Sequence, residues 1–219
     1  MTNRALRFYS IEDFYADPGV AELLVAAEFD RVNLDKAEVI VFNGGEDIGT
    51  SIYGEKPIAN SIPLEASPRD QYEMGIFEKY KDPSILKVGI CRGSQLLNCL
   101  NGGTLWQDVN NHGSSHDIVL IPGGETIRVT STHHQMMRPG PTGQVLGVAV
   151  RSTRKHADGA DVTGPDKDQD VEIVWYADTS TLCIQGHPEY VPGSQFAEFS
   201  IALIRHYQEV AELTNACAV

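Results

Sequence analysis

Apolar residues along this chain follow two kinds of pattern. Continuous runs, Glu38 to Asn43 (EVIVFN), Ile85 to Ile90 (ILKVGI) and Thr181 to Ile184 (TLCI), read as strands, and the first is of the kind found in parallel sheets covered on both faces. Helical spacing recurs after Pro18 (Val20, Leu23, Leu24, Ala27), between Asp70 and Tyr80 (Tyr72, Ile76, Phe77, Tyr80) and after Cys91 (Leu96, Leu97, Cys99, Leu100). A last helix is expected behind Ser194 as its cap, with Phe196, Phe199, Leu203 and Tyr207 packing on the sheet. Weaker strand signals cover residues 4–10, Ile118 to Ile121 and Thr126 to Thr130, the latter two joined by a Pro122-Gly123-Gly124 turn. Val145 to Ser152 and Val171 to Tyr176 are expected to form a hairpin. Its connection, 153–170, is rich in Asp and Gly and reads as a mobile solvated loop. Prolines 57, 63 and 68 make 55–68 loop-like. Strands alternating with helices predict an α/β fold with a mainly parallel central sheet and no internal repeat.

Length and charge narrow the picture. At 219 residues the chain is long enough for one well-buried domain and short for two, so 1–219 is expected to be a single domain. The net charge of −13 argues against a nucleic-acid backbone or an anionic membrane as the main partner, while leaving a small-molecule substrate open. No apolar run approaches a membrane span and the first residues lack a signal-peptide core, so a cytoplasmic protein is expected. Cys91, Cys99, Cys183 and Cys217 have no CxxC spacing, which indicates neither a disulfide framework nor a zinc site. Cys99 and Cys183 lie on apolar faces and read as core.

Cys91 is different. It sits in Gly89-Ile-Cys91-Arg-Gly93 between a strand and a helix, the cysteine version of a nucleophile elbow, a turn so tight that its flanking residues must lack side chains. The helix N-terminus that follows favours thiolate, and the Arg92 N–H is aimed at the same space. Such a cysteine needs a histidine and a group to orient it. Among seven histidines His187 stands apart, ending an apolar strand in Gln185-Gly-His-Pro-Glu189, with the Glu189 carboxylate two residues on. Gly44-Gly45, at the end of the EVIVFN strand, is where an open α/β sheet presents bare backbone N–H groups to ligands. His112 and His116 are four apart, but Gly113 between them argues against a helix that would align them, so no metal is expected there. His133-His134-Gln135 forms a second histidine cluster, on its own merely a polar loop.

GICRGSQLLN, QGHPE and FNGGED, in register across roughly residues 37–205, resemble the class I glutamine amidotransferase-like family, and within it the γ-glutamyl-γ-aminobutyrate hydrolase and γ-glutamyl hydrolase (peptidase C26) branch. The resemblance implies a three-layer, flavodoxin-like α/β sandwich with a Cys91-His187-Glu189 triad and an oxyanion hole from the Gly45 and Arg92 N–H groups. It also implies substrate contacts from Gly44, Gln95, His134 and Gln135. No cofactor is implied. The implied reaction is hydrolysis of a γ-glutamyl amide through a glutamyl thioester. The same parts also suit a glutaminase subunit passing ammonia to a separate synthetase, or a silent binding module that kept the fold. The chain departs from the family pattern twice. Thr50 stands where relatives commonly carry Pro before a Tyr, and Gly186 replaces an aromatic residue before His-Pro-Glu, which is expected to open space beside His187. The oligomeric state and the leaving amine are not encoded in these motifs.

Overall fold

The computed structural model describes residues 5–11, 19–151, 155–157, 160–162 and 169–216. The first half of the chain runs through β1 (Arg7–Ile11), α1 (Gly19–Ala26), β2 (Asp30–Arg31), β3 (Val39–Phe42), α2 (Pro68–Lys79), β4 (Leu86–Ile90) and α3 (Arg92–Leu100). Short antiparallel strands follow: β5 (Thr104–Trp106), β6 (Asp108–Val109), β7 (His116–Leu120), β8 (Thr126–Val129), β9 (Met136–Arg138) and β10 (Gln144–Ala149). The last third carries β11 (Lys155–Ala157), β12 (Ala160–Val162), β13 (Val171–Tyr176), β14 (Thr181–Ile184) and α4 (Gln195–Ala216).

The main sheet is ordered β2-β1-β3-β4-β14-β13-β10-β7-β8, with β9 and β5 joined to it through β13. It has two halves. From β2 to β14 every pairing is parallel, and from β14 onward every pairing is antiparallel. The expected parallel sheet is therefore the half that carries Cys91 and His187. The antiparallel half is an extension built by the expected 145–152/171–176 hairpin and its neighbours.

Alternation along β3 shows why both faces are covered: Val39 and Val41 join the cluster under α1 and α4, Ile40 and Phe42 the cluster under α2 and α3. That makes three layers. The helix starts follow local rules. Ser67 and Asp70 form a reciprocal capping box with Pro68 in the first turn of α2. The Ser194 hydroxyl accepts the Ala197 N–H at 3.2 Å to open α4, whose Phe196 and Tyr207 are buried.

Part of the 153–170 connection departs from the expected loop: β11 pairs with β12 on one side and with β6 on the other, making a three-stranded sheet on the strand edge at Asp108–Val109. Residues 152–154, 158–159 and 163–168 lie outside the described residues, as does Cys217. Among the described residues, no helix is long and apolar enough to cross a membrane.

Candidate active site

Strand β4 delivers the chain into the elbow and α3 takes it away. A Cβ at Gly89 would come within 2.6 Å of the Gly93 backbone, and one at Gly93 within 2.0 Å of the Phe42 carbonyl oxygen, so neither position tolerates a side chain. Between them Cys91 is held at φ 50°, ψ −111°, a positive-φ conformation that a non-glycine residue keeps only when its surroundings dictate it. Its N–H bonds the Ile184 carbonyl at 2.9 Å, tying the turn to β14. Arg92 is the first residue of α3, so its N–H has no acceptor within the helix.

The next strand over supplies the imidazole. His187 follows the end of β14, and its backbone N–H is bonded to the Thr130 carbonyl at 3.0 Å. Its Nδ1 lies 2.7 Å from Glu189 Oε1, which leaves Nε2 as the nitrogen open to the thiol. Burial disfavours charge on the ring, but hydrogen bonds to the Cys91 side chain and to Glu189 outweigh it and lift the pKa from 6.5 to about 10. The Tyr190 ring stacks on His187 at 4.2 Å and 8°. The residues expected to form a triad are therefore brought together.

Gly44 closes the third side: a Cβ there would lie 3.0 Å from His187 Cε1 and 3.7 Å from Cys91 Cβ. The peptide beyond it is turned by Arg69, whose Nη2 donates to the carbonyls of Asn43 and Gly44, both at 3.0 Å. Because the peptide is trans, fixing the Gly44 carbonyl on Arg69 sends the Gly45 N–H the opposite way. Gly45 sits at φ +151°, and a Cβ there would fall 2.3 Å from Arg69 Nη1. Behind this loop runs a buried ionic chain: Arg69 Nε to Glu73 at 2.8 Å, with Glu73 and Asp70 both bonded to the Arg92 guanidinium. The Arg92 side chain thus points into the core, while its N–H, at the start of α3, has no acceptor within the helix. Arg69, Asp70 and Glu73 were not singled out in the sequence. The signal was there as an Arg-Asp-x-x-Glu group at i, i+1, i+4 on one helical turn, but charged positions on an amphipathic helix are ordinarily read as solvated.

A cleft of about 740 Å³ lies over these groups, lined by Gly44, Gly45, Cys91, His187, Tyr190, Gln95, residues of the 131–135 loop and the acidic pair Glu46 and Asp47. All four residues expected as substrate contacts line it. Gln95 Nε2 donates to the Gln135 carbonyl at 3.0 Å, and neither polar side-chain atom of buried Gln135 has a hydrogen-bond partner. His134 is 3.1 Å from Asp47 across the cleft, a contact that raises its pKa. The Thr50 departure is absorbed by a 3₁₀ turn, Thr50–Tyr53, with the Thr50 N–H on the Pro63 carbonyl at 2.9 Å.

One expectation fails. Gly186 does not open space beside His187. A Cβ there would sit 2.9 Å from both Cε1 and Cζ of Phe196 and from the Thr130 carbonyl, because α4 inserts a ring where an aromatic at position 186 would go. At Gly113 no helix forms, as expected, yet β7 and the loop before it bring the His112 and His116 rings to 4.6 Å.

Sheet, elbow and cleft together define the class I glutamine amidotransferase fold. A GMP synthase subunit from Thermoplasma acidophilum superposes with TM-score 0.64 at 13% identity, covering 98% of both chains. A glutamine amidotransferase from Thermotoga maritima gives 0.57 at 13% identity over 85% of this chain and 77% of that one. More narrowly, the chain belongs to the peptidase C26 family, whose model matches residues 19–189. Relatives include a glutamine amidotransferase-like protein of Lactococcus lactis, 26% identical over 71% of this chain and 67% of its own length. The small chain of carbamoyl phosphate synthase from Helicobacter pylori is 24% identical over 66% of this chain and 36% of its own.

Proposed function

We propose that this chain, acting as a single domain, hydrolyses the γ-glutamyl amide bond of glutamine or a γ-glutamyl amine through a thioester on Cys91. The observation that carries the reading is the thiol–imidazole–carboxylate line: Gly44 packs against both Cys91 and His187, Cys91 and Glu189 together raise the pKa of the ring, and its Nδ1 lies 2.7 Å from Glu189. The Cys91 thiolate attacks the side-chain carbonyl carbon, and the oxyanion that develops accepts hydrogen bonds from the Gly45 and Arg92 N–H groups. The tetrahedral intermediate collapses by breaking the C–N bond, with the Nε2 proton of His187 passing to the departing amine. His187, now neutral, takes a proton from water. The hydroxide attacks the thioester and glutamate leaves, returning the thiolate. Gln95, Gln135 and His134, with Glu46 and Asp47, offer the polar groups that an amino-acid headgroup requires; the orphaned Gln135 amide supports that role.

The likeness to a carbamoyl phosphate synthase small chain supports a second reading, a glutaminase subunit whose ammonia goes to a separate synthetase. The experiment separates them. Glutamate release is measured from a panel of γ-glutamyl amides, with Cys91→Ala as control. Turnover by the chain alone supports the hydrolase, and turnover of glutamine only with an added synthetase supports the second reading. No turnover and no labelling of Cys91 by a glutamine-like electrophile overturns both and leaves a silent binding module.

A further inference from the structure

Next to the 131–135 loop, on the antiparallel half of the sheet, three buried or half-buried imidazoles converge on one carboxylate. Glu172 Oε1, on β13, lies 2.9 Å from His116 Nε2, 3.1 Å from His112 Nδ1 and 3.6 Å from His133 Nε2. Each ring's other nitrogen faces a group that can only accept: His112 Nε2 the Asp170 carboxylate at 2.9 Å, His116 Nδ1 the Ser114 carbonyl at 3.2 Å, His133 Nδ1 the Gln135 carbonyl at 2.8 Å. Those nitrogens therefore carry the protons. In neutral rings the three that face Glu172 are bare lone pairs aimed at an anion. His112 Nδ1, His133 Nε2 and Glu172 Oε2 are indeed buried without a hydrogen-bond partner.

Two arrangements relieve that conflict. Protonating all three rings places three cations among two carboxylates and leaves a net positive charge buried in the fold, while protonating only two balances the charge but leaves the third lone pair facing the anion. A divalent ion among three neutral rings, with Glu172 and Asp170 ionised, leaves none. The outward N–H bonds to carboxylate and carbonyl are what metal-bound imidazoles almost always make, since they fix the tautomer and raise ligand basicity.

We propose that His112 Nδ1, His116 Nε2, His133 Nε2 and Glu172 form a binding site for a divalent transition metal, zinc by its donor set. Bond lengths of about 2.0–2.2 Å in a tetrahedron put neighbouring ligand atoms about 3.3–3.5 Å apart, close to the Glu172 separations. The ligand atoms of His112, His116 and Glu172 all lie within 4.8 Å of one another, so binding draws the rings together slightly. A surface cavity of about 610 Å³, with Asn111, Ser115, Asp117 and Arg128 in its wall, reaches His112 and His116 and provides the entry path. Four protein ligands fill a tetrahedron, so the ion is structural. It pins the loop of His133, His134 and Gln135 to β7 and β13, and so shapes one wall of the cleft.

The test keeps the metal separate from the thiol, which would itself bind zinc. Full-length Cys91→Ala protein is stripped with chelator and titrated with Zn²⁺, reading bound metal, calorimetry and thermal unfolding. One ion per chain and a raised Tm are expected, with X-ray absorption giving three imidazole nitrogens and one oxygen. His116→Ala and Glu172→Gln should each weaken binding by at least about 100-fold, and His206→Ala on α4 should leave it unchanged. Should a variant fail to fold, the absorption spectrum of the Cys91→Ala protein decides. No bound ion with no Tm shift, or sulfur in the coordination shell, overturns the site. These readouts do not involve turnover, so they stand or fall apart from the proposed reaction.

Discussion

Two buried groups among the described residues, His187 with Glu189 and the cluster around Glu172, set imidazole against carboxylate, and they differ in what occupies the far side of the ring. In the cleft His187 has Glu189 on Nδ1 and a thiol beyond Nε2, a group that can give up or regain a proton. In the antiparallel half the far side of His112, His116 and His133 is the Glu172 carboxylate, which has no proton to give. The first arrangement suits proton traffic, the second a fixed cation. They are mechanically joined, since the Gln185 N–H bonds the Glu172 carbonyl at 2.8 Å, only two residues before His187. The comparison predicts that changes in the cleft cost turnover and spare the fold, while changes in the cluster cost stability first.

The largest effect tests the cleft. Cys91→Ala should reduce glutamate release by about 10⁴-fold or more, because the nucleophile and its base act as a unit. The fold should be spared, and Cys91→Gly should melt above Cys91→Ala, since glycine relieves the positive φ at this position. Equal melting temperatures would mean that the elbow stores no strain.

The cluster should behave in the opposite way. Glu172→Ala removes the anionic ligand of the proposed cation and leaves that charge buried without its counter-ion, which costs about 3–5 kcal/mol. Chemical denaturation would show it as a lower midpoint. Turnover at saturating substrate should change little, with KM rising through the displaced 131–135 loop. A variant that loses kcat while keeping its stability would collapse the distinction between the two regions.

A pH profile sharpens it further. His187 has its pKa raised from 6.5 to about 10, so it stays charged, and able to protonate a leaving amine, until pH rises through that value. The alkaline limb of kcat/KM should lie near 10, and the ring's contribution to stability should be complete below 6.5 and lost as pH climbs toward 10. Glu189→Gln removes one of the interactions that raise the pKa, so the limb should move to lower pH while kcat falls about 10²-fold. A limb that stays in place would mean that Glu189 does not set the ring's charge.

How visible each region was in the sequence follows from how it is assembled. The elbow and His-Pro-Glu are contiguous, their geometry imposed by glycines and a proline within a few residues, so Cys91, His187 and Glu189 stand out as candidates once the elbow is read together with the family resemblance. The cluster draws His112, His116, His133 and Glu172 from separate elements that meet only after β7, β10 and β13 pair, a register no local pattern encodes. Helical spacing says nothing about His112 and His116, because β7 and the loop before it bring them together. Arg69, Asp70 and Glu73 escaped for a related reason: helical periodicity cannot say that a charged turn is buried until the Arg92 guanidinium is known to meet it.

The smallest expected effect concerns Gly186, where sequence and structure part most sharply. A glycine beside a reactive histidine reads as a vacancy, yet Phe196 projects its ring into that space from α4. If the ring does the work of an aromatic at 186, the two positions are coupled. Gly186→Ala should cost about 1–3 kcal/mol by overpacking against Phe196 and the Thr130 carbonyl. Phe196→Ala should cost about 3–5 kcal/mol through the cavity it leaves. The double variant should then be less destabilised than the sum, since the new methyl enters space the ring has vacated; a coupling above about 0.5 kcal/mol is the signature of a shared site. Strict additivity would mean that the backbone at 186 moves away from the ring. Because the Thr130 hydroxyl and the His187 carbonyl are hydrogen-bonded in any case, kcat in the double variant should stay within a few-fold of the parent.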